Sequence, residues 1–277
     1  MINKTICVTG DQGFIGNALK NELIKMGYQV KGLEKWIFDR TRWQDRLIEY
    51  LVDMQPDVVF HVGACSDTLE TDATTMLKLN TESTMVMADW CQFKGIPFIF
   101  SSSASVYGDG KEPSNLYGWS KYLAEQYVIK CGCIALRYFN VYGYGEMHKG
   151  RMASMVYQMY QNKKWGKEIK LFPNEPKRDF VYVKDVVSAN IFAMKFYEQF
   201  RGMHHDVGTC ESRTFEDICK CLDVPYTYTE ADAVPKGYQM FTQADRRRTM
   251  MGWNAEYNLE DGIKDYLHLL QISELHI

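Results

Sequence analysis

The chain has 277 residues, 46% hydrophobic and 24% charged, enough for one large domain or two small ones. Its 32 basic and 35 acidic side chains leave a net charge of −3, which carries no electrostatic footprint for nucleic acid or an anionic membrane. No apolar run approaches the roughly 20 residues that cross a bilayer, and Met1 leads straight into a strand pattern, so a cytoplasmic protein is expected.

In chain order, short β-branched runs at 5–9, 29–33, 58–62, 98–101 and 133–138 alternate with helical patterns at 14–26, 43–54, 74–93 and 117–130. In the first helix Ile15, Leu19, Leu23 and Met26 share one face. Strand–helix alternation of this kind predicts an α/β fold, a Rossmann-type doubly wound parallel sheet whose ligands sit at the carboxyl ends of the strands. After Asn140 the pattern loosens: a helix at 152–162, strands at 169–172 and 179–183, a helix at 184–200, and a strand near 205–207. The tail, 214–277, reads as short helices with a strand at 226–229. No linker rich in Gly, Pro or Ser interrupts the chain, so a second, smaller α/β domain is expected to dock closely on the first. Eight scattered cysteines (Cys7, Cys65, Cys91, Cys131, Cys133, Cys210, Cys219, Cys221) lack metal-type spacing, and reduced structural thiols with no metal are predicted.

Gly10-Asp11-Gln12-Gly13-Phe14-Ile15-Gly16 lies between the first strand and the first helix. A tight turn needs glycine, a pyrophosphate must be approached by bare backbone, and a helix amino terminus offers amide donors. The spacing is G-x-x-G-x-x-G, one residue longer in its first gap than the usual dinucleotide fingerprint. Glu34 ends the second strand about 20 residues later, where an acid accepts from ribose hydroxyls. An acid there repels a 2′-phosphate and favours NAD; Lys35, Arg40 and Arg42 nearby act in the other direction, so NADP stays open. Asp39 is expected to cap a short third strand beside the adenine.

Tyr-x-x-x-Lys occurs twice, at Tyr117/Lys121 and Tyr160/Lys164, and among 18 tyrosines one match is expected by chance. Tyr117 follows an apolar strand and the hydroxyl run Ser101-Ser102-Ser103, whereas Tyr160 has no such strand before it and reads as core or surface. One helical turn puts Tyr117 and Lys121 on a shared face. An adjacent ammonium favours the phenolate, which then takes a proton from a sugar alcohol as hydride leaves to a nicotinamide, with Ser103 bonded to the same oxygen.

These motifs resemble the extended short-chain dehydrogenases/reductases, the NAD-dependent epimerase/dehydratase group, over nearly the whole chain. The family's catalytic Ser, Tyr and Lys fall on Ser103, Tyr117 and Lys121, its steadying asparagine on Asn80, and the stretch beneath the cofactor on Val62-Gly63-Ala64. Further resemblance lies in His61–Ser66, in Arg137-Tyr138-Phe139-Asn140-Val141-Tyr142-Gly143, in His148-Lys149-Gly150 and in Lys177-Arg178-Asp179-Phe180. It also lies in Lys236-Gly237-Tyr238-Gln239 with Phe241-Thr242-Gln243-Ala244-Asp245. The resemblance implies an NAD- or NADP-dependent epimerase of a nucleotide-diphosphate sugar. Lys149 would be a second acid/base, Asn140 a sugar contact, Val141 a cofactor neighbour, Phe172 an adenine neighbour, and Arg178 and Tyr238 diphosphate ligands. It implies a homo-oligomer, with no nucleic-acid or membrane partner. It divides the chain into 1–141 with a return segment near 179–209 for the dinucleotide, and 142–178 with 210–277 for the sugar nucleotide.

Two departures stand out. Glu34 and Asp39 are separated by only four residues, and the Ser103–Tyr117 interval is shorter than usual in the family, which bears on cofactor and sugar preference. A 4,6-dehydratase needs acids where Ala104 and Ser105 stand. A 4-epimerase or reductase acting on another nucleotide sugar remains an alternative, as does a dinucleotide-sensing binding protein, which would not need Ser103, Tyr117 and Lys121 together.

Overall fold

A computed structural model describes residues 4–274, except Glu34, Arg40, Ala64, Lys111, Lys236, Gly237 and the side chain of Lys35. The first half runs β1 (Thr5–Thr9), α1 (Phe14–Lys25), β2 (Gln29–Leu33), α2 (Trp43–Met54), β3 (Val58–His61), α3 (Ala73–Leu77), α4 (Ser83–Lys94), β4 (Phe98–Ser103), α5 (Leu116–Lys130) and β5 (Ile134–Tyr138). There follow β6 (Asn140–Tyr142), α6 (Met155–Lys164), β7 (Lys170–Leu171), β8 (Lys177–Tyr182), α7 (Val183–Lys195), α8 (Tyr197–Phe200) and β9 (His204–Val207). The chain ends with β10 (Ser212–Thr214), α9 (Phe215–Leu222), β11 (Thr227–Tyr228) and α10 (Leu259–Glu274).

Six strands pair in parallel in the order β2-β1-β3-β4-β5-β9, the expected Rossmann-type sheet. The order reverses between β1 and β3, so the binding crevice opens beyond their carboxyl ends, where Gly10 and Val62 follow. Strand side chains alternate between the two faces. Ile6, Val8, Phe60, Ile99 and Leu136 pack with Leu19 and Leu23 of α1 and Val186 of α7. Cys7, Val59, Phe98, Phe100 and Ala135 face the other way, onto Leu47 and Leu51 of α2, Met87 of α4 and Val128 of α5. Burying each such side chain is worth about 1.5–3 kcal/mol, so a sheet covered on both faces supports a rigid strand-end site.

A third core joins Tyr142, Val156, Met159, Leu171, Phe180, Ile218 and the α10 seam of Leu259, Ile263, Tyr266 and Leu270. That 4-3-4 spacing makes one 16-residue helix where short helices were expected. Around this core β10-β8-β6 form a small mixed sheet and β11-β7 a two-stranded one; β6 and β10 were not anticipated.

Other differences concern the site directly. Residues 35–39 form a 3-10 turn and not a third strand, because Ile37 and Phe38 turn inward and Phe38 packs at 5.5 Å on Trp43. The helix expected from 152 starts at Met155, where the Ser154 hydroxyl accepts from the Tyr157 amide; residues 147–152 make a separate 3-10 turn. The 74–93 pattern is α3 and α4 joined through a π turn at Lys78–Glu82. All eight cysteines are free. Among the described residues no helix is long and apolar enough to cross a membrane.

Candidate active site

The glycine turn and β3 come together backbone to backbone. Gly10 has φ +66°, and a Cβ there would lie 2.6 Å from the Gly63 Cα; one on Gly16 would lie 2.1 Å from the Gly10 carbonyl oxygen. Gly13 precedes α1, its amide donates to the Gly10 carbonyl at 2.9 Å, and no side chain caps the helix amino terminus. Amides and a positive helix end therefore face a crevice from which side chains are excluded, which fits a pyrophosphate. A cavity of about 410 Å³ opens there. Gly10, Gly13, Phe14, Ile15, Gly16, Val62, Gly63 and Lys149 of the expected residues line it, together with Leu33, Phe38, Cys65 and His148. Asp39 is exposed on its 3-10 turn, and Val141 packs between the first and third cores; neither lines this cavity, and neither do Asn80, Ser103, Tyr117 and Lys121. Glu34, Ala64 and the Lys236-Gly237 pair lie outside the described residues. Arg42 is engaged by Asp45 at 2.7 Å on the surface. A wider groove of about 1010 Å³ between α1, α7 and residues 252–257 touches none of Ser103, Tyr117, Lys121 or Lys149.

Asn115 starts α5 by accepting from the Gly118 amide at 2.8 Å, which sets Tyr117 in the first turn. Lys121, buried one turn on, donates to the Ser101 carbonyl at 2.8 Å and sits 4.8 Å from the Phe100 ring centre. Burial pushes its ammonium down to about 7. Burial likewise raises the Tyr117 phenol, and a hydrogen bond with the Ser103 hydroxyl opposes that rise. A phenol held low by its lysine was expected; in the chain itself burial outweighs. Ser103 also accepts from the Ser105 amide at 3.1 Å.

A buried network braces this helix. Asn80, in the π turn, accepts from the Cys65 amide at 2.8 Å, and donates to the Cys65 carbonyl and to Ser120 Oγ, both at 3.0 Å. Ser120 in turn donates to the Tyr117 carbonyl at 2.7 Å. π turns concentrate at functional sites, and here the turn lets one side chain lock the loop after β3 to the Tyr117 helix. On the other side the Thr84 hydroxyl donates to the Asn80 carbonyl at 2.7 Å and so accepts from His61 Nε2 at 2.9 Å. His61 Nδ1 then accepts from Thr9, whose hydroxyl receives the Gly63 amide. His61 is thus a neutral core histidine, its imidazole held well below its usual range by burial and the Lys121 charge.

Phe172, Arg178 and Tyr238 converge. The Phe172 and Tyr238 rings meet edge-on at 5.0 Å, and the Arg178 guanidinium carbon lies 5.0 Å from the Tyr238 ring centre and 5.8 Å from that of Phe215. Asp179, next along the strand, points to the opposite face and accepts from Thr209, Cys210 and Ala244, so it does not neutralise Arg178. Gln239 donates to the Gly108 carbonyl, tying the Tyr238 segment to the turn after Ser103. Asn140 is exposed at the start of β6 and accepts from the Thr242 hydroxyl at 3.4 Å. Lys149 stands on the 147–152 turn with its ammonium 5.6 Å from the Phe14 ring centre; burial lowers it and Glu146 opposes the fall. The second Tyr-x-x-x-Lys pair bonds to Glu274 through both Tyr160 and Lys164, a surface tie between α6 and α10.

Residues 6–208 match the model of the NAD dependent epimerase/dehydratase family. The chain belongs to that family. An ADP-L-glycero-D-manno-heptose-6-epimerase of Brachyspira hyodysenteriae is 33% identical, over 97% of this chain and 98% of the relative. That alignment spans 315 positions, more than the 277 residues here, so this epimerase/dehydratase lacks segments its relative carries. The crystal structure of Helicobacter pylori ADP-L-glycero-D-manno-heptose-6-epimerase superposes with a TM-score of 0.83 at 28% identity, covering 97% of this chain and 96% of that one. Thermotoga maritima UDP-glucose 4-epimerase with UDP-glucose gives 0.82 at 25% identity, covering 97% and 99%. Glu146, Ser120, Thr84 and Thr9, which brace the site, carry no signal in a single sequence; the His61–Ser66 segment drew attention only through resemblance.

Proposed function

We propose that this chain is a nucleotide-diphosphate-sugar epimerase, and that its substrate is ADP-glycero-manno-heptose, inverted at C6. The observation that carries the reading is the pairing of two proton-transfer groups on different elements: Tyr117 on α5, bonded to Ser103 at the end of β4, and Lys149, on the turn that lines the glycine-bounded cavity. A carbinol carbon with no carbonyl beside it inverts through oxidation to a ketone, turning of the sugar, and reduction on the opposite face. A bound nicotinamide dinucleotide supplies the hydride acceptance and return. Tyr117 takes the hydroxyl proton in one orientation of the sugar and Lys149 serves the other. Asn80 and Ser120 tie the Tyr117 helix to the loop after β3, whose Cys65 lines the cavity.

Residues 1–141 with 179–209 would bind the dinucleotide and 142–178 with 210–277 the sugar nucleotide, a division supported by the Arg178–Tyr238 contact across the latter two segments. There Arg178 offers a planar fork to phosphate oxygens, Phe172 and Tyr238 flank the nucleotide, and Asn140 meets the sugar. The family description supports NAD. Free cysteines support a reducing, cytoplasmic setting, and exposed Phe93, Trp119 and Leu123 on α4 and α5 support a homo-oligomer.

The test is incubation of purified protein with ADP-, GDP- and UDP-sugars, both heptose epimers included, with NMR of the products. Interconversion of the two ADP-heptoses is expected. Turnover of UDP-glucose to its 4-epimer and none of the heptoses would establish the second reading, which the likeness to the Thermotoga enzyme favours. Identification of the dinucleotide released on denaturation decides between NAD and NADP.

A further inference from the structure

The segment that carries Lys149 is held from inside by one carboxylate. Glu146 is fully buried, and its Oε1 accepts from the Gly143 amide at 3.1 Å and from the Ser154 hydroxyl at 2.8 Å. Its Oε2 accepts from the Ser154 amide, and its carbonyl accepts from the Lys149 amide at 2.9 Å. Gly143 precedes the 147–152 turn and Ser154 follows it, capping α6, so one side chain closes the whole 143–154 loop at its base. Burial raises the Glu146 carboxyl, and the three donors together with the Lys149 charge oppose that rise and favour the ionised acceptor. Removing such an acceptor would leave three buried donors unpaired. At its far end Gln158 of α6 also donates to the Arg151 and Ala153 carbonyls, at 3.3 and 2.7 Å, whereas Gly150, next to Lys149, has φ +54° and open space around it.

We infer that Glu146 is a positioning residue for Lys149, closing the loop that presents the lysine to the cavity and supplying its negative neighbour. The inference rests on the reading of Lys149 as the second proton-transfer group. The groups around the pair are few. His148, Glu70 and Cys65 line the cavity with Lys149, Arg151 is paired to Asp67, and Tyr157 of α6 and Tyr266 of α10 face Glu146. Of these, Glu146 is the charge that acts to raise the Lys149 ammonium.

The test uses the full chain carrying lysine labelled with 13C at Cε, the Lys149 signal being the one lost in Lys149→Met. In Glu146→Gln the loss of the negative neighbour disfavours the ammonium, so the Lys149 titration midpoint should fall by about half to one pH unit. Amide hydrogen exchange over 147–152 should quicken, and turnover should fall about tenfold. An unmoved midpoint with unchanged exchange overturns the inference. Should Glu146→Gln fail to fold, Ser154→Ala cuts one tie at the far end and keeps the charge: faster exchange over 147–152 supports the inference, and unchanged exchange overturns it. Full activity of Lys149→Met would instead remove the lysine from the proposed chemistry, while the NMR and exchange results still report on Glu146.

Discussion

Tyr117 and Lys149 are held in two different ways. Tyr117 sits in the first turn of a 15-residue helix whose backbone is bonded through Ser120 to Asn80, and through Asn80 to the loop after β3. Lys149 sits on a six-residue 3-10 turn, broken at Gly150 and closed from beneath by Glu146. The first is fixed by a covered sheet and a network running through three elements; the second is held by one buried carboxylate at its base and by Gln158 at its far end. For a reaction in which the sugar must turn between two hydride transfers, a rigid group opposite a locally tethered one is a consistent division. The strong scaffold is also the part with a periodic sequence signal, and the tethered loop is the part without one.

The largest expected effect comes from the rigid side. Tyr117→Phe should lower epimerisation by about 10³-fold, since general acid–base groups contribute about 10²–10⁴-fold, with bound dinucleotide retained. Lys149→Met should lower it by about 10²-fold, and the double variant should be nearly dead, all followed by NMR of the epimer ratio with time. Full activity of Lys149→Met beside an inert Tyr117→Phe would break the comparison, leaving one proton-transfer group and a bystander.

Two glycines sharpen it. Gly10→Ala meets both a left-handed φ, costing about 1–2 kcal/mol, and the Gly63 backbone at 2.6 Å. The crevice must open, so the purified variant should lose most of its dinucleotide, read from the absorbance of the denatured supernatant, and its Tm should fall by about 3–6 °C. Gly150→Ala has the same strain and no obstruction, and should keep its dinucleotide. On the substrate side, Arg178→Ala should raise KM for the nucleotide sugar about tenfold with kcat less affected, as expected for a charged hydrogen bond lost in ground and transition states alike. An unchanged KM would take Arg178 out of substrate binding.

The sheet was legible because its two cores obey simple periods: Ile6 and Val8 on one face with Cys7 on the other, Leu19 and Leu23 four apart on α1. The glycine turn was legible because its spacing follows a steric need that the Gly10–Gly63 approach makes explicit. Tyr117 was separated from Tyr160 by the serine run before it, and Tyr160 indeed bonds to Glu274 at the surface. Periodicity fails where long-range packing decides. Ile37-Phe38 has the composition of a strand, yet burial against Trp43 curls it into a 3-10 turn. Glu146 reads as an ordinary loop acid until the fold brings Gly143 and Ser154 to it. Phe172, Arg178 and Tyr238, spread over 67 positions of sequence, had only resemblance to join them.

The smallest expected effect decides whether Lys149 is held from inside or outside. Arg151 reaches from the Lys149 turn to Asp67 on the loop after β3, a 3.0 Å ion pair, but its side chain is 71% exposed. Water and salt screen such a pair, and ordering a long side chain offsets much of its attraction. Asp67 is also held by the Leu69 amide, the larger cause of its lowered carboxyl, so it keeps a partner when the arginine goes. Arg151→Ala should therefore change turnover by no more than about twofold and leave amide exchange over 147–152 near wild type, in contrast to Glu146→Gln. A loss approaching that of Lys149→Met would invert the assignment, making the outer pair the tether and the buried carboxylate an ordinary part of the third core.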